Sequence, residues 1–282
     1  MSAAAVALLV LAGCASGTVA AAPAGSHRPT HRSTPQRSDP AQPTGSASAS
    51  PSPSSASSTP STRPTPTGTP APPVPAPGIG LDKTAQSTSD PASTWVVVNK
   101  PRALDPIGYV PGDLTYPDVA YVNRQPMRQA TAAALVTMFR AGKTEAGLEF
   151  AVQSAYRSFD SQTRVYGDDV ARNGQAYADT DTARPGHSEH QTGLAVDISA
   201  LPARCSLDAC FGQTPQGRWL AANAWRFGFL LRYPADKVSV TGFTYEPWHF
   251  RYVGTALAAE LHRTGVTTLE EFFGCAGGTQ YR

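Results

Sequence analysis

The chain has 282 residues, of which 26 are proline and 24 glycine, with 16% charged residues and a formal net charge of +2. No aromatic residue precedes Trp95, whereas fifteen prolines lie within residues 23–77, so the composition describes two different regions. From Trp95 onward eighteen basic residues balance eighteen acidic ones. A neutral domain without a basic cluster lacks the electrostatics of nucleic-acid binding, and we expect no nucleic-acid partner.

The chain opens with a short apolar stretch at residues 3–12, followed by Gly13 and Cys14. This stretch is too short to span a bilayer and is typical of a signal peptide, which we predict over residues 1–14. Leu11-Ala12-Gly13-Cys14 looks like a lipobox, in which Cys14 would be lipidated. Because no Lys or Arg precedes Arg28, a small-residue stretch with an incidental cysteine remains the alternative.

Residues 15–93 are dominated by Ser, Thr, Pro, Ala and Gly and show no apolar periodicity. Such a segment cannot bury enough surface to offset its chain entropy, and we predict a disordered tether. Residues 94–282 hold the aromatic residues and are numerous enough to form one domain with a core.

Hydrophobic periodicity predicts mixed secondary structure in this domain. We predict helices at 127–141, 160–173, 214–227, 255–262 and 268–273, and strands at 148–154, 194–199, 229–232 and 249–252. This order indicates an α+β fold with a small, mostly antiparallel sheet flanked by helices.

Two segments combine histidines with carboxylates. His190 leads through Gly193 into the apolar sequence around Asp197. A carboxylate buried there is costly without a compensating partner, so Asp197 needs a cation. In the second segment, Pro247 disfavours a helix. Since residues three apart on an ideal strand face opposite ways, Glu246 and His249 can share a site only if the chain bends near Pro247.

His190, Asp197 and His249 would supply three ligands to Zn²⁺ and leave a fourth position for water, as in catalytic zinc sites. Glu246, near the metal without being a ligand, would take a proton from that water. His187 is the nearest rival for ligation, but three ligands already satisfy a catalytic zinc, and we expect it at the rim of the site.

The pattern Ser-x-His-x-x-Gly-x-Ala-x-Asp at 188–197, followed by Glu-x-x-His at 246–249, resembles the VanY-type D-alanyl-D-alanine carboxypeptidases. Their zinc peptidase superfamily also contains D-Ala-D-Ala dipeptidases and lysostaphin-type enzymes, and its fold is shared by the hedgehog signalling domain. The similarity extends over residues 95–273. Further blocks that carry it lie at 98–101, 154–158, 231–234, 241–243 and 250–254.

The resemblance implies a role for each matching residue. His190, Asp197 and His249 would be the zinc ligands, and Glu246 the general base and subsequent acid. Arg157 would stabilise the oxyanion or hold the terminal carboxylate of the substrate, which suits its permanently charged fork. The residues expected to help hold the peptide are Ser154, Tyr156, Gln162 and Ser188.

The expected activity is hydrolysis of the terminal D-Ala of peptidoglycan stem peptides by a monomeric, exported protein. The protein would be anchored at the membrane through Cys14, or otherwise secreted. Alternatives within the superfamily are L,D-carboxypeptidase or endopeptidase action, and outside it a non-catalytic zinc-containing wall-binding module. Cys205 and Cys210 could form a disulfide after export, although pairing of either with Cys275 is equally permitted.

Overall fold

The computed structural model describes residues 80–282. Its helices are Gln129–Ala146 (α1), Phe159–Asn173 (α2), Gln175–Asp181 (α3), Pro215–Asn223 (α4), Val238–Thr241 (α5), Thr255–Thr264 (α6) and Leu269–Phe273 (α7). Its strands are Leu114–Thr115 (β1), Met127–Arg128 (β2), Glu149–Ser154 (β3), Ala195–Leu201 (β4), Phe229–Tyr233 (β5) and Glu246–Tyr252 (β6).

The centre of the domain is a four-stranded sheet with the order β3-β4-β6-β5, in which every neighbouring pair is antiparallel. β1 and β2 form a separate two-stranded ribbon. The expected α+β class with a small antiparallel sheet is confirmed. The two inner strands carry Asp197 and His249, which are direct register partners. Their side chains are therefore held by the part of the sheet that is paired on both sides.

Two irregularities in the sheet change which side chains face the site. In β3, Gln153 is an extra residue between the pairs Val152–Ile198 and Ser154–Asp197. In β6, the three residues 247–249 oppose the single residue Arg232 of β5. Bulges of this kind bend a strand and re-aim its side chains. The second bulge is the bend near Pro247 that a shared site for Glu246 and His249 requires.

Of three apolar clusters in the described residues, the two with the most members hold the sheet and the helices together. The larger one packs α1 and α4 against the sheet, with Leu135, Met138, Phe150, Ile198 and Phe250 among its buried members. The smaller one joins the N-terminal segment to the last two helices. Its buried aromatic and aliphatic members are Trp95, Val97, Val253, Leu257, Leu261, Leu269 and Phe272.

Several element boundaries differ from the predicted ones. The predicted helix 127–141 begins at Gln129, because Met127–Arg128 pairs as a strand with Leu114–Thr115. The predicted helix 214–227 is α-helical only to Asn223 and continues as a 3₁₀ turn. The helices α3 and α5 were not predicted, because they are short and lack apolar periodicity.

Residues 80–93, which fall within the expected tether, contact the domain. Lys83 donates from Nζ to the carbonyl of Phe272 at 2.5 Å, and Leu81 packs against the smaller apolar cluster. The carbonyl of Thr88 accepts hydrogen bonds from Val97 N and Arg102 Nη2. The ordered contacts thus begin upstream of residue 94. Residues 1–79, including Cys14, lie outside the described residues. In residues 80–282, no helix combines the length and the apolar character that a membrane span requires.

Candidate active site

The floor of the site is built from β4, β6 and the turn that precedes β4. His190 lies in a 3₁₀ turn, Glu189–Thr192, which ends at Gly193 with a φ of +67°. A β-carbon on Gly193 would lie 3.0 Å from Arg128 Cγ and 3.1 Å from Leu114 Cδ2. Glycine therefore suits both the left-handed backbone and the close packing at the corner that directs the chain from His190 into β4.

His190, Asp197 and His249 converge at this floor. Their candidate ligand atoms all lie within 4.8 Å of one another, and all three residues are buried. His190 Nε2 is 3.3 Å from Asp197 Oδ2, and His249 Nδ1 is 3.2 Å from Asp197 Oδ1. The structure thus brings together the three residues expected to be ligands.

Each of these side chains contacts a further residue outside the cluster. His190 donates from Nδ1 to the carbonyl of Ala155 at 2.7 Å, and His249 Nε2 lies 3.4 Å from Glu189 Oε2. Ser154 Oγ donates to Asp197 Oδ2 at 2.5 Å. Histidine ligands of metals usually donate their second ring N–H in this way, which leaves the other nitrogen free for the ion.

The donor set fits a metal ion, as one orphaned atom shows. Asp197 Oδ1 is buried and makes no hydrogen bond to any of residues 80–282. Burial raises the pKa of Asp197, but His190 and His249 together hold it well below its usual range, so the residue is an anion. A buried carboxylate oxygen that faces an imidazole nitrogen without bonding to it is satisfied if a cation lies between the two.

Glu246 lies beside this cluster at the beginning of β6. Its Oε2 is 3.7 Å from His249 Nδ1, and the residue is 8% exposed. Burial raises the pKa of Glu246 to about 8, although the neighbouring His249 opposes the rise. The site therefore contains a fourth ionisable group, outside the set of candidate ligands, whose protonation changes near neutral pH.

These residues form the floor of an open cleft with a volume of about 190 Å³. Arg157 lines the cleft, and its guanidinium makes no hydrogen bond or ion pair with any described residue. Asp197 and Glu246 are close enough for their charges to oppose the lowering of the Arg157 pKa by burial. Other lining residues are Asp181, Thr182, Ala183, Leu207, Tyr233, Phe243 and Trp248.

The four residues expected to hold the peptide lie in different environments. Gln162 and Ser188 line the cleft and are almost fully buried. Gln162 donates from Nε2 to the carbonyl of Ala183, while its Oε1 has no partner among the described residues. Ser154 instead contacts the candidate ligand Asp197. Tyr156 is half-buried and is not among the residues that line the cleft.

His187 lies outside the candidate metal cluster. Its Nδ1 contacts the carbonyl of Asn99 at 3.0 Å, and its ring packs edge-on against Tyr281. Among the described cysteines, Cys205 and Cys210 are joined by a disulfide, and Cys275 is free.

A buried charge network behind His249 was not predicted from the sequence. Glu189 Oε1 accepts from Arg232 Nε and Arg251 Nη1, each at 2.8 Å. Arg232 in turn forms two hydrogen bonds with Glu270, at 2.7 and 2.9 Å. The available signal was the presence of arginines within the apolar strands 229–233 and 246–252, where each needs a buried anion.

Comparisons with known proteins agree with this geometry. Residues 124–255 match the family model "VanY: D-alanyl-D-alanine carboxypeptidase". YodJ of Bacillus subtilis (strain 168), a protein named as a carboxypeptidase, is 42% identical over 193 residues, which cover 67% of this chain and 70% of YodJ. The chain belongs to the VanY family of the zinc peptidase superfamily and is a hydrolase, so the family inferred from the two motifs is confirmed.

Two solved structures are similar in fold and sequence. The LdcB LD-carboxypeptidase is 41% identical with a TM-score of 0.61, over 66% of this chain and 88% of that one. A vancomycin-resistance D,D-pentapeptidase VanY, a mutant in complex with Zn(II), is 33% identical with a TM-score of 0.52, over 63% of this chain and 97% of that one. The similar structures thus include an L,D-carboxypeptidase and a D,D-pentapeptidase.

Proposed function

We propose that this protein is a zinc-dependent D-alanyl-D-alanine carboxypeptidase that removes the terminal D-Ala from peptidoglycan stem peptides. The observation that carries the proposal is the convergence of His190, Asp197 and His249 on the floor of a cleft that also contains Glu246 and Arg157. These five residues all line the same cleft.

His190 Nε2, Asp197 and His249 Nδ1 would hold the zinc ion. Two imidazoles and one carboxylate form a donor set typical of catalytic zinc, and three protein ligands leave a position for water or substrate. When bound, zinc acts as a Lewis acid that makes water nucleophilic near neutral pH and polarises a carbonyl. Support for this metal comes from the orphaned Asp197 Oδ1 and from the Zn(II) complex of the VanY relative.

Glu246 acts as the proton carrier. It accepts a proton from the attacking water and returns it to the nitrogen of the leaving D-Ala, so the amino acid departs as an amine. A carboxyl whose pKa lies near the working pH can both accept and return a proton. Burial gives Glu246 this property, since it raises the pKa to about 8 in the absence of a metal.

Arg157 supplies the anion recognition that a carboxypeptidase requires. Its guanidinium lines the cleft without a hydrogen-bonded partner among residues 80–282. A desolvated guanidinium that stays charged binds a carboxylate or a developing oxyanion favourably. Gln162 Oε1 and the Ser188 hydroxyl are the further polar groups on the same walls available to the peptide backbone.

Product analysis on defined stem peptides tests this function. We expect the purified protein with zinc to release D-Ala from a pentapeptide ending in D-Ala-D-Ala, and a chelator to abolish the release. Glu246→Gln should lower kcat by about a hundredfold or more while zinc binding is retained. Glu149→Gln, which alters an exposed carboxylate paired with Lys143 away from the cleft, is the matched control and should leave turnover unchanged. Absence of D-Ala release by the wild type rejects the assignment.

L,D-carboxypeptidase activity is the second candidate, and the similarity to LdcB favours it. A tetrapeptide ending in L-Lys-D-Ala separates the two, because only an L,D enzyme releases D-Ala from it. Endopeptidase action would instead yield an internal fragment. A non-catalytic wall-binding module would retain the peptide without releasing any product.

The substrate also suggests where the protein acts. Peptidoglycan lies outside the cytoplasmic membrane, so the proposed function requires export, in agreement with the signal-like residues 1–14. Lipidation at Cys14 would hold the domain at the membrane surface, with the Pro-rich region as a spacer towards the wall. Mass spectrometry of the membrane fraction tests this, since lipidation adds acyl chains to an N-terminal Cys14.

A further inference from the structure

One loop places an exposed apolar side chain at the mouth of the cleft. Leu207, in the connection between β4 and α4, is 46% exposed and lines the cleft together with Trp248. Of the large, exposed hydrophobic residues in the described part of the chain, Leu207 alone is among the cleft residues. Exposed apolar surface within a site is typical of ligand contact.

The backbone of this loop is held in an unfavourable conformation. Cys205 has a φ of +54° and Leu207 a φ of +52°, in the left-handed region that branched and bulky residues avoid. A disulfide between Cys205 and Cys210 closes the loop. Asp208 reinforces the closure, because its N donates to the carbonyl of Cys205 and its Oδ1 accepts from Cys210 N.

The loop is also fixed to the strands that carry the site. Ser206 Oγ lies 3.1 Å from Ser199 Oγ on β4, two residues after Asp197. Immediately after the loop, Gly212 packs so closely that a β-carbon there would lie 2.5 Å from the Tyr245 hydroxyl and 3.2 Å from Pro247 Cβ. Leu207 is therefore positioned relative to both Asp197 and the Glu246–Pro247 segment.

We propose that Leu207 is a specificity-determining residue that contacts the aliphatic side chain of the substrate residue on the amino side of the scissile bond. The disulfide acts as a positioning device for it. The inference rests on the proposed function. If Arg157 holds the terminal carboxylate, the side chain of the preceding residue is the one available to the wall that Leu207 and Trp248 line. A loop that is already ordered loses little entropy on binding, so the apolar contact contributes to affinity.

The test measures KM for each combination of enzyme variant and substrate variant. The probes are the cleaved stem peptide and an analogue with glycine on the amino side of the scissile bond. We expect Leu207→Ala to raise KM for the parent peptide about three- to tenfold, since part of a buried aliphatic contact is lost, with kcat within about twofold. The preference for the parent over the glycine analogue should fall by a similar factor, which a merely structural effect would not produce.

The disulfide is tested in the same assay with the double variant Cys205→Ser and Cys210→Ser. We expect a KM increase like that of Leu207→Ala, and little further increase when the three changes are combined, because all act through one side chain. Val110→Ala, at a 60% exposed residue outside the cleft, is the control and should leave both constants unchanged. Zinc content should be equal in all variants.

Two results overturn the inference: equal KM values for Leu207→Ala and Val110→Ala, or an unchanged preference against the glycine analogue. If the wild type releases no amino acid, the proposed function fails, and peptide dissociation constants measured by calorimetry replace KM. A selective loss of affinity for the parent peptide in Leu207→Ala then still supports the contact. Equal dissociation constants, or no binding to the wild type, overturn it.

Discussion

Glu189 Oε2 lies 3.4 Å from His249 Nε2, on the side of the imidazole that faces away from Asp197. Burial raises the pKa of Glu189, but Arg232, Arg251 and His249 together lower it below its usual range, so this carboxylate is ionised. An ionised acceptor at Nε2 fixes the proton on that nitrogen and leaves Nδ1 free to bind a metal. The buried network thus selects the ring tautomer that the metal cluster needs.

Replacement of Glu189 by Gln should weaken zinc binding. An amide oxygen that bonds Arg232 and Arg251 turns the amide NH₂ towards His249 Nε2, which favours the opposite tautomer with Nδ1 protonated. We expect the zinc dissociation constant to rise about 10- to 100-fold, measured by competition with a chromophoric chelator. Loss of the buried charge should also lower the free energy of unfolding by about 3 kcal/mol.

Glu270→Gln is the matched control for this experiment. Glu270 pairs with the same Arg232 but does not contact His249, so its loss should cost similar stability without changing zinc affinity. Equal zinc affinities in both variants would mean that Glu189 serves folding alone.

Ser154→Ala should also weaken zinc binding. The Ser154 hydroxyl donates to Asp197 Oδ2, and the bulge at Gln153 aligns the two residues. Without this bond the carboxylate is free to rotate, and we expect zinc affinity to fall about tenfold. Ser199→Ala removes a hydroxyl from β4 that contacts Gln153 and Ser206 but not Asp197, and should leave the affinity unchanged. Calorimetric titration with zinc compares the two variants.

Zinc affinity should increase with pH. In the metal-free protein burial lowers the pKa of His249, but the neighbouring carboxylates of Asp197 and Glu189 raise it to about 9. Burial lowers the pKa of His190, and Asp197 is ionised, so neither holds a competing proton near neutral pH. Below about pH 9 one proton must therefore leave His249, and the association constant should rise about tenfold per pH unit up to that point.

The measurement is best made in Glu246→Gln, because Glu246 also has a raised pKa, of about 8, and could release a second proton. A flat profile in this variant would show that His249 carries no proton before the metal binds.

The candidate ligands could be identified from sequence because their chemistry is local. A carboxylate within Leu-Ala-Val-Asp-Ile and histidines beside Gly193 and Pro247 indicate a site without any knowledge of the fold. The sequence also predicts that a site shared by Glu246 and His249 requires a bend between them. The bulge opposite Arg232 provides that bend.

The partners behind the ligands could not be identified in the same way. Glu189 reaches Arg232 and Arg251 across 43 and 62 residues of sequence, and no local pattern encodes that pairing. Ser154 matches a family block, but its contact with Asp197 depends on a bulge whose position follows from strand register. Tertiary contacts of this kind become visible only once the sheet is assembled.

The N-terminal boundary of the domain gives a stability prediction. Removal of residues 1–79 should leave hydrolysis of soluble peptides intact, because every residue assigned to the site lies beyond them. Removal of residues 1–93 also deletes the Lys83–Phe272 and Thr88–Arg102 hydrogen bonds. It further uncovers the apolar cluster around Trp95, against which Leu81 packs.

We expect the longer deletion to lower the free energy of unfolding by about 2–4 kcal/mol in urea titrations. Equal urea midpoints for the two truncated chains would place the boundary at residue 94, as the composition alone indicates.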